Sequence, residues 1–153
     1  MKGPTARRRA SKAGRLKRVE NKNKEKVRLR DRTCRFPLCP CQRWNLFLEV
    51  SHAEHKGMGG DPTGERSTPD RMIYVCNWRH KESHISIDKK AIRWVPLTAA
   101  GSNGPVEWQA KGDDGGEWIT LARESEPGRL LPIDPWQRAL LHAMATELSA
   151  HAA

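Results

Sequence analysis

No stretch of this chain approaches the roughly 18–20 consecutive apolar residues that a bilayer-crossing helix requires. The basic N-terminus is followed by no apolar segment of the signal-peptide kind. Both absences lead us to expect a soluble protein that is not exported, with a cytoplasmic location and no membrane partner. Apolar residues are scarce as well: 37% of the 153 residues are hydrophobic while 30% are charged. The core must then be small. Ordering each residue costs roughly 1–2 kcal/mol of conformational entropy, so a core this poor calls for a staple such as a metal site, a disulfide or an oligomer contact. Cysteine is rare, with four in all, and in a reducing compartment thiols bind metal or stay free more often than they pair.

The net charge of +10 is unevenly placed: residues 1–33 hold 14 Lys or Arg against 3 Asp or Glu, a net +11 that leaves −1 for the rest. Charge concentrated in this way favours a polyanion, because each neutralised phosphate releases condensed counterions. Arg7, Arg8 and Arg9 are the first candidates for such contacts. Up to about Val19 the chain has almost nothing to bury and reads as disordered in isolation. Residues 21–32 read as a basic helix that would draw its order from a bound partner, since Val27 and Leu29 make no stripe. We therefore expect a basic tail over 1–31, a core over 32–98 and an extension over 99–153.

Within the core, residues 34–41 read as a tight turn in which Pro37 and Pro40 forbid regular helix. Leu46, Leu48 and Val50 alternate with Glu49, the pattern of a short strand ending near His52. A Gly-rich loop follows. A compact apolar run from Met72 to Val75 leads, without a breaker, into residues 76–84, where a short helix would put His80 and His84 on one face. Ile85, Ile87, Ile92 and Trp94 suggest one or two further strands. Residues 99–105 are expected to end the core. Residues 106–110 and 117–121 form a hairpin candidate in which Trp108 and Trp118 would pack together. A terminal helix over 135–150 has Pro135 at its first position and Trp136, Leu140, Leu141, Met144 and Leu148 on one stripe.

The sharpest feature is Leu48-Glu49-Val50-Ser51-His52-Ala53-Glu54-His55-Lys56-Gly57-Met58-Gly59-Gly60, followed by Arg71-Met72-Ile73-Tyr74-Val75-Cys76-Asn77-Trp78-Arg79-His80 and then His84. It resembles the HNH, or ββα-metal (His-Me finger), nucleases over roughly residues 32–88. Small members of that family occur in bacteriophages and prophages, which would place this chain in a bacterial host's cytoplasm. The resemblance implies an α+β fold with a small ββα-metal core, and a DNA endonuclease that uses one divalent ion: magnesium, manganese or zinc. By position His52 inherits the role of general base. His80 matches the histidine that binds the catalytic ion and His84 a frequent further ligand.

The chemistry stands without the family name: hydrolysing a phosphodiester needs a base to activate water and a cation to offset charge on the phosphate and leaving oxygen. Two residues depart from the family pattern. Ser51 stands where the first metal ligand is usual, and Arg71 where an Asn orients the base. Two substitutes are at hand: His55 as ligand or second base, or a carboxylate from Asp61 or Asp70. Lys56, Arg66 and Arg71 are candidates for holding phosphate. Cys34, Cys39, Cys41 and Cys76 correspond to the family's structural zinc knuckles. Free buried thiols, or a three-cysteine site completed by another group, are the alternatives. A catalytically inactive, zinc-stapled DNA-binding module and an RNA-binding protein are the competing functional classes.

Overall fold

Ser11 caps a helix, its Oγ accepting from the Gly14 N–H at 3.1 Å, and α1 runs Lys12–Asp31 in a computed structural model that describes residues 11–54 and 60–152. Good helix formers fill α1, Glu20 pairs with Lys24 at 2.8 Å and Glu25 with Arg28 at 3.3 Å, and Arg28 and Arg30 lie at its negative C-terminal end. It stops at Arg32, which adopts φ +60° and returns its N–H to Arg28 O at 2.8 Å. For the described part of the tail, the expected disorder up to Val19 and the partner-dependent helix after it are thus corrected: α1 is folded against the rest of the chain from Lys12 onward, and residues 1–10 lie outside the described residues. What holds it is mostly polar. Val27 is fully buried beside Val50 and Met72. Arg30, however, donates to Pro69 O and Met72 O, both at 2.9 Å, and to Asn103 Oδ1 at 2.8 Å. Asp31 accepts from the Tyr74 N–H at 2.9 Å.

β1 (Leu48–His52) and β2 (Met72–Cys76) pair antiparallel, with Leu48 opposite Cys76 and His52 opposite Met72. β1 begins later than the alternation suggested because residues 41–46 are spent on turns, with Trp44 and Leu46 both donating to Cys41 O. Two 3-10 turns, Glu65–Ser67 and Pro69–Arg71, lead into β2. After β2 a single π-helical turn, Trp78–Glu82, replaces the expected helix over 76–84, closed by Ser83 N–H on Trp78 O at 3.0 Å. Ile85 and Ile87 lie in turns and not in a strand, though both pack on the core.

A second sheet is antiparallel in the order β3 (Ile92–Pro96), β4 (Val106–Lys111), β5 (Trp118–Glu126) and β6 (Arg129–Leu130). α2 (Pro135–Ala152) closes the chain. The core does not end at residues 99–105: Ile73 and Val75 share one buried cluster with Trp94, Val106, Trp108, Leu121, Leu141 and Met144. Arg35 bridges the same line, its Nε and Nη2 donating to Glu124 at 2.9 and 2.6 Å. Trp108 lies opposite Trp94 and meets Phe36 edge-on at 5.2 Å, whereas Trp118 lies under the Arg93 guanidinium at 4.0 Å. The expected Trp108–Trp118 pair is not formed. Trp136 is 53% exposed, so α2 buries Leu141, Met144 and Leu148 while leaving out the first residue of the expected stripe. No helix among the described residues is long and apolar enough to cross a membrane.

Candidate metal centre and histidine-lined cavity

The turn after α1 brings Cys34, Cys39 and Cys41 against the end of β2, where Cys76 waits. All four Sγ atoms lie within 4.8 Å of one another. Cys39 and Cys76 are 3.7 Å apart. In a tetrahedral tetrathiolate zinc site with bonds of about 2.3 Å, neighbouring sulfurs are about 3.8 Å apart, so the donor set and spacing suit that ion. The 3-10 turn at Pro40–Gln42 lets two cysteines separated by one residue point to the same place. Cys76 donates its N–H to Cys34 Sγ at 3.3 Å, the kind of outer contact that settles a thiolate. Cys41, Cys76, Trp78 and Leu148 are buried together, so the end of α2 covers the cluster.

The thiols share protons unequally. Hydrogen bonds with Cys39, Cys41 and Cys76, together with burial, push the Cys34 thiol well above its usual value. Cys39, Cys41 and Cys76 are each lowered, chiefly because Cys34 donates to them. Three sulfurs are therefore biased toward the thiolate that a metal needs.

His52 ends β1 and His80 sits in the π-helical turn. The two line one cavity of about 410 Å³, together with Val50, Ala53, Ile87, Asp88, Lys90 and, from α1, Lys24. The segment after the turn is laced back onto it by Ile87 N–H to Arg79 O and Asp88 N–H to His80 O, both at 2.9 Å. This places Asp88 Oδ1 3.5 Å from His80 Nε2, while Glu49 Oε2 lies 2.8 Å from His80 Nδ1. Burial pushes the Glu49 carboxyl up, but hydrogen bonds from Lys81 and His80 outweigh it and hold the group below its ordinary range. Sequence reading missed Asp88, Lys24 and Lys90, because residues far apart along the chain carry no shared period. Glu49 was in view within the motif but passed as the solvent side of a strand.

Other expected site residues are placed elsewhere. His84 follows the end of the π-helical turn, is 74% exposed and meets Glu147 Oε1 at 3.1 Å. It does not share a helical face with His80, because the helix needed for that spacing ends at Glu82. Ser51 is buried, its Oγ without a hydrogen-bond partner among the described residues. Arg71 is exposed, and its carbonyl accepts from the Ala53 N–H at 2.8 Å. Arg66 pairs with Glu54 at 3.4 Å, both well exposed. Arg7, Arg8, Arg9, His55 and Lys56 lie outside the described residues. Among the described residues the cysteines are the one group of three or more His, Cys, Asp or Glu side chains gathered closely enough to hold an ion. No protein-family model matches the chain, and neither a curated protein nor a solved structure matches it.

Proposed function

We propose that this chain is a metal-dependent DNA endonuclease of the HNH, ββα-metal type, its fold stapled by zinc on Cys34, Cys39, Cys41 and Cys76. The observation that carries the reading is one cavity lined by His52 from the end of β1 and His80 from the helical turn after β2. His52 takes the proton of the attacking water. Glu49 holds the Nδ1 side of His80, so that His80 Nε2 and Asp88 would be the residues to hold a cation. Their 3.5 Å separation is close to the roughly 3 Å between adjacent ligands of an octahedral ion bound at about 2.1 Å. A magnesium or manganese ion there would offset charge on the phosphate and leaving oxygen. Lys24 and Lys90 also line the cavity and suit the phosphate diester. The exposed cations of α1, among them Lys12, Arg15, Lys22 and Lys26, add contacts along the backbone of the duplex.

The direct test is plasmid nicking by the purified chain with magnesium or manganese. Wild type is expected to nick and His52→Ala is not; equal activity in the variant refutes the assignment of the base. The buried Ser51 and exposed Arg71, at positions the family uses for a ligand and an orienting Asn, favour a second reading, an inactive DNA-binding module. Duplex binding with no nicking under any divalent ion would select it.

A further inference from the structure

The four cysteines are not equally sheltered. Cys41 and Cys76 are 1% and 0% exposed and pack with Trp78 and Leu148, and Cys76 is fixed further by its place opposite Leu48 at the end of the β1–β2 ladder. Cys34 and Cys39 are half-buried. Both line a separate cavity of about 310 Å³, together with Pro127, Gly128 and Leu130 from the β5–β6 turn. A water molecule takes up roughly 30 Å³ in the liquid, and hydrogen peroxide is little larger, so a small oxidant fits this space. Cys34 and Cys39 also sit on one turn, in which the Cys39 N–H donates to Phe36 O at 3.4 Å. An S–S bond of about 2.05 Å has to draw together sulfurs that lie within 4.8 Å of each other. A turn can make that move, whereas a strand held in a ladder resists it. The two sulfurs differ as nucleophiles. Cys34 Sγ accepts the Cys76 backbone N–H at 3.3 Å, which draws electron density from it and leaves Cys39 the better attacker.

We propose that Cys34 and Cys39 are a site of oxidative modification by peroxides, closing to a disulfide while Cys41 and Cys76 stay reduced. The Cys39 thiolate attacks one peroxide oxygen; the O–O bond breaks, Cys39 becomes a sulfenic acid, and the departing hydroxide takes a proton from solvent. The Cys34 thiolate then attacks the sulfenic sulfur, the S–O bond breaks, and the second hydroxide leaves as water with another solvent proton. The two sulfurs lose the two electrons that the peroxide gains. Both sulfurs are thereby withdrawn as donors, which releases a bound zinc. That release rests on the zinc staple proposed above; the pairing of the sulfurs does not.

The test exposes the full chain, purified with zinc, to hydrogen peroxide, follows released zinc with a coloured chelator, and maps the cysteines by mass spectrometry after alkylating free thiols. The first product is expected to join Cys34 to Cys39 and to carry alkylated Cys41 and Cys76, with zinc lost in step. Dithiothreitol with added zinc should reverse both changes. Cys34→Ser should accumulate Cys39 as a sulfenic acid, read by a diketone probe, and the wild-type map decides the pairing whether or not this variant folds. A first linkage that includes Cys41 or Cys76 overturns the proposal. So do thiols left untouched by a peroxide excess that oxidises free cysteine, and zinc retained by a chain that carries the Cys34–Cys39 bond. A chain that holds no zinc yet forms that bond supports the proposal and removes the zinc staple instead.

Discussion

Stripping metal from the cysteine cluster should cost this protein a large share of its stability, and the structure sets the scale. Cys34 and Cys76 are 42 residues apart in sequence, and a cross-link between them removes loop-closure entropy from the unfolded chain. For a loop of that length the chain-entropy estimate is about 4 kcal/mol. Small domains have only about 5–15 kcal/mol in total. The cluster also packs Cys41, Cys76, Trp78 and Leu148 into one buried group, so losing the metal would loosen the end of α2 as well. At about 2–4 °C per kcal/mol for a chain of this size, the melting temperature should fall by roughly 8–16 °C when a strong chelator removes the ion, and recover on adding zinc. Cys76→Ser should show the lowered value without chelator and should not respond to zinc. Elemental analysis should give one zinc per chain before treatment. A metal-free protein that melts within about 2 °C of the untreated one would refute the staple.

Three other expectations follow from named contacts. Replacing Arg35 by Met strips its bidentate partner from Glu124, whose side chain is 0% exposed. Breaking a buried pair in this way costs about 3–5 kcal/mol, visible in urea unfolding, and a cost under about 1 kcal/mol would show that the pair is replaceable. His80→Ala should abolish metal-dependent nicking, whereas His84→Ala, which loses only an exposed contact to Glu147, should stay within about twofold of wild type; the reverse order would reassign the ligand. Glu49 is held below its ordinary carboxyl value of 4.5 by Lys81 and His80, so its ionised form is favoured by folding. That contribution is present above pH 4.5 and disappears as pH falls through the lower folded value. At partial exposure it is well under 1 kcal/mol. The melting curves of wild type and Glu49→Gln should accordingly differ at neutral pH and converge in acid, and a gap that widens in acid would contradict the assignment.

The elements legible in the sequence were those whose burial follows a simple period. α2 announced itself through Pro135 and the spacing of Leu141, Met144 and Leu148, all of which are buried. The β4–β5 hairpin was visible in its alternation and its Asp/Gly-rich connection. A basic helix over residues 21–32 was visible, but the early start of α1 and its docking escaped for a physical reason: one apolar residue, Val27, is fully buried, and much of the docking runs through Asn23, Arg30 and Asp31 to backbone groups scattered over residues 67–74. Hydrogen bonds of this kind have no periodicity, and a run of Lys and Arg looks the same whether it is solvated or anchored at a few positions. The boundary between core and extension failed for a related reason. Arg35 and Glu124 are ordinary surface residue types until one learns that they face each other with no solvent between them.

The two candidate centres differ in legibility for the same reason. Four rare residues drew attention to the cysteine cluster by type alone, since thiols that converge have few uses besides metal or disulfide, and the structure brings all four together. The histidine cavity was legible only in its two fixed points, His52 and His80. Its remaining walls come from α1 and from the turn at Asp88, which reach the cavity because backbone hydrogen bonds fold the segment after the π-helical turn back onto Arg79 and His80. A π-helical turn in place of a longer α-helix also explains the loss of His84. The spacing of four residues brings two imidazoles together only while the helix continues, and here Ser83 ends it by closing on Trp78. Beside His80 Nε2 stands a carboxylate, Asp88, at 3.5 Å. On the nuclease reading proposed above, a hard divalent cation such as magnesium or manganese would prefer an oxygen ligand of that kind to a second imidazole.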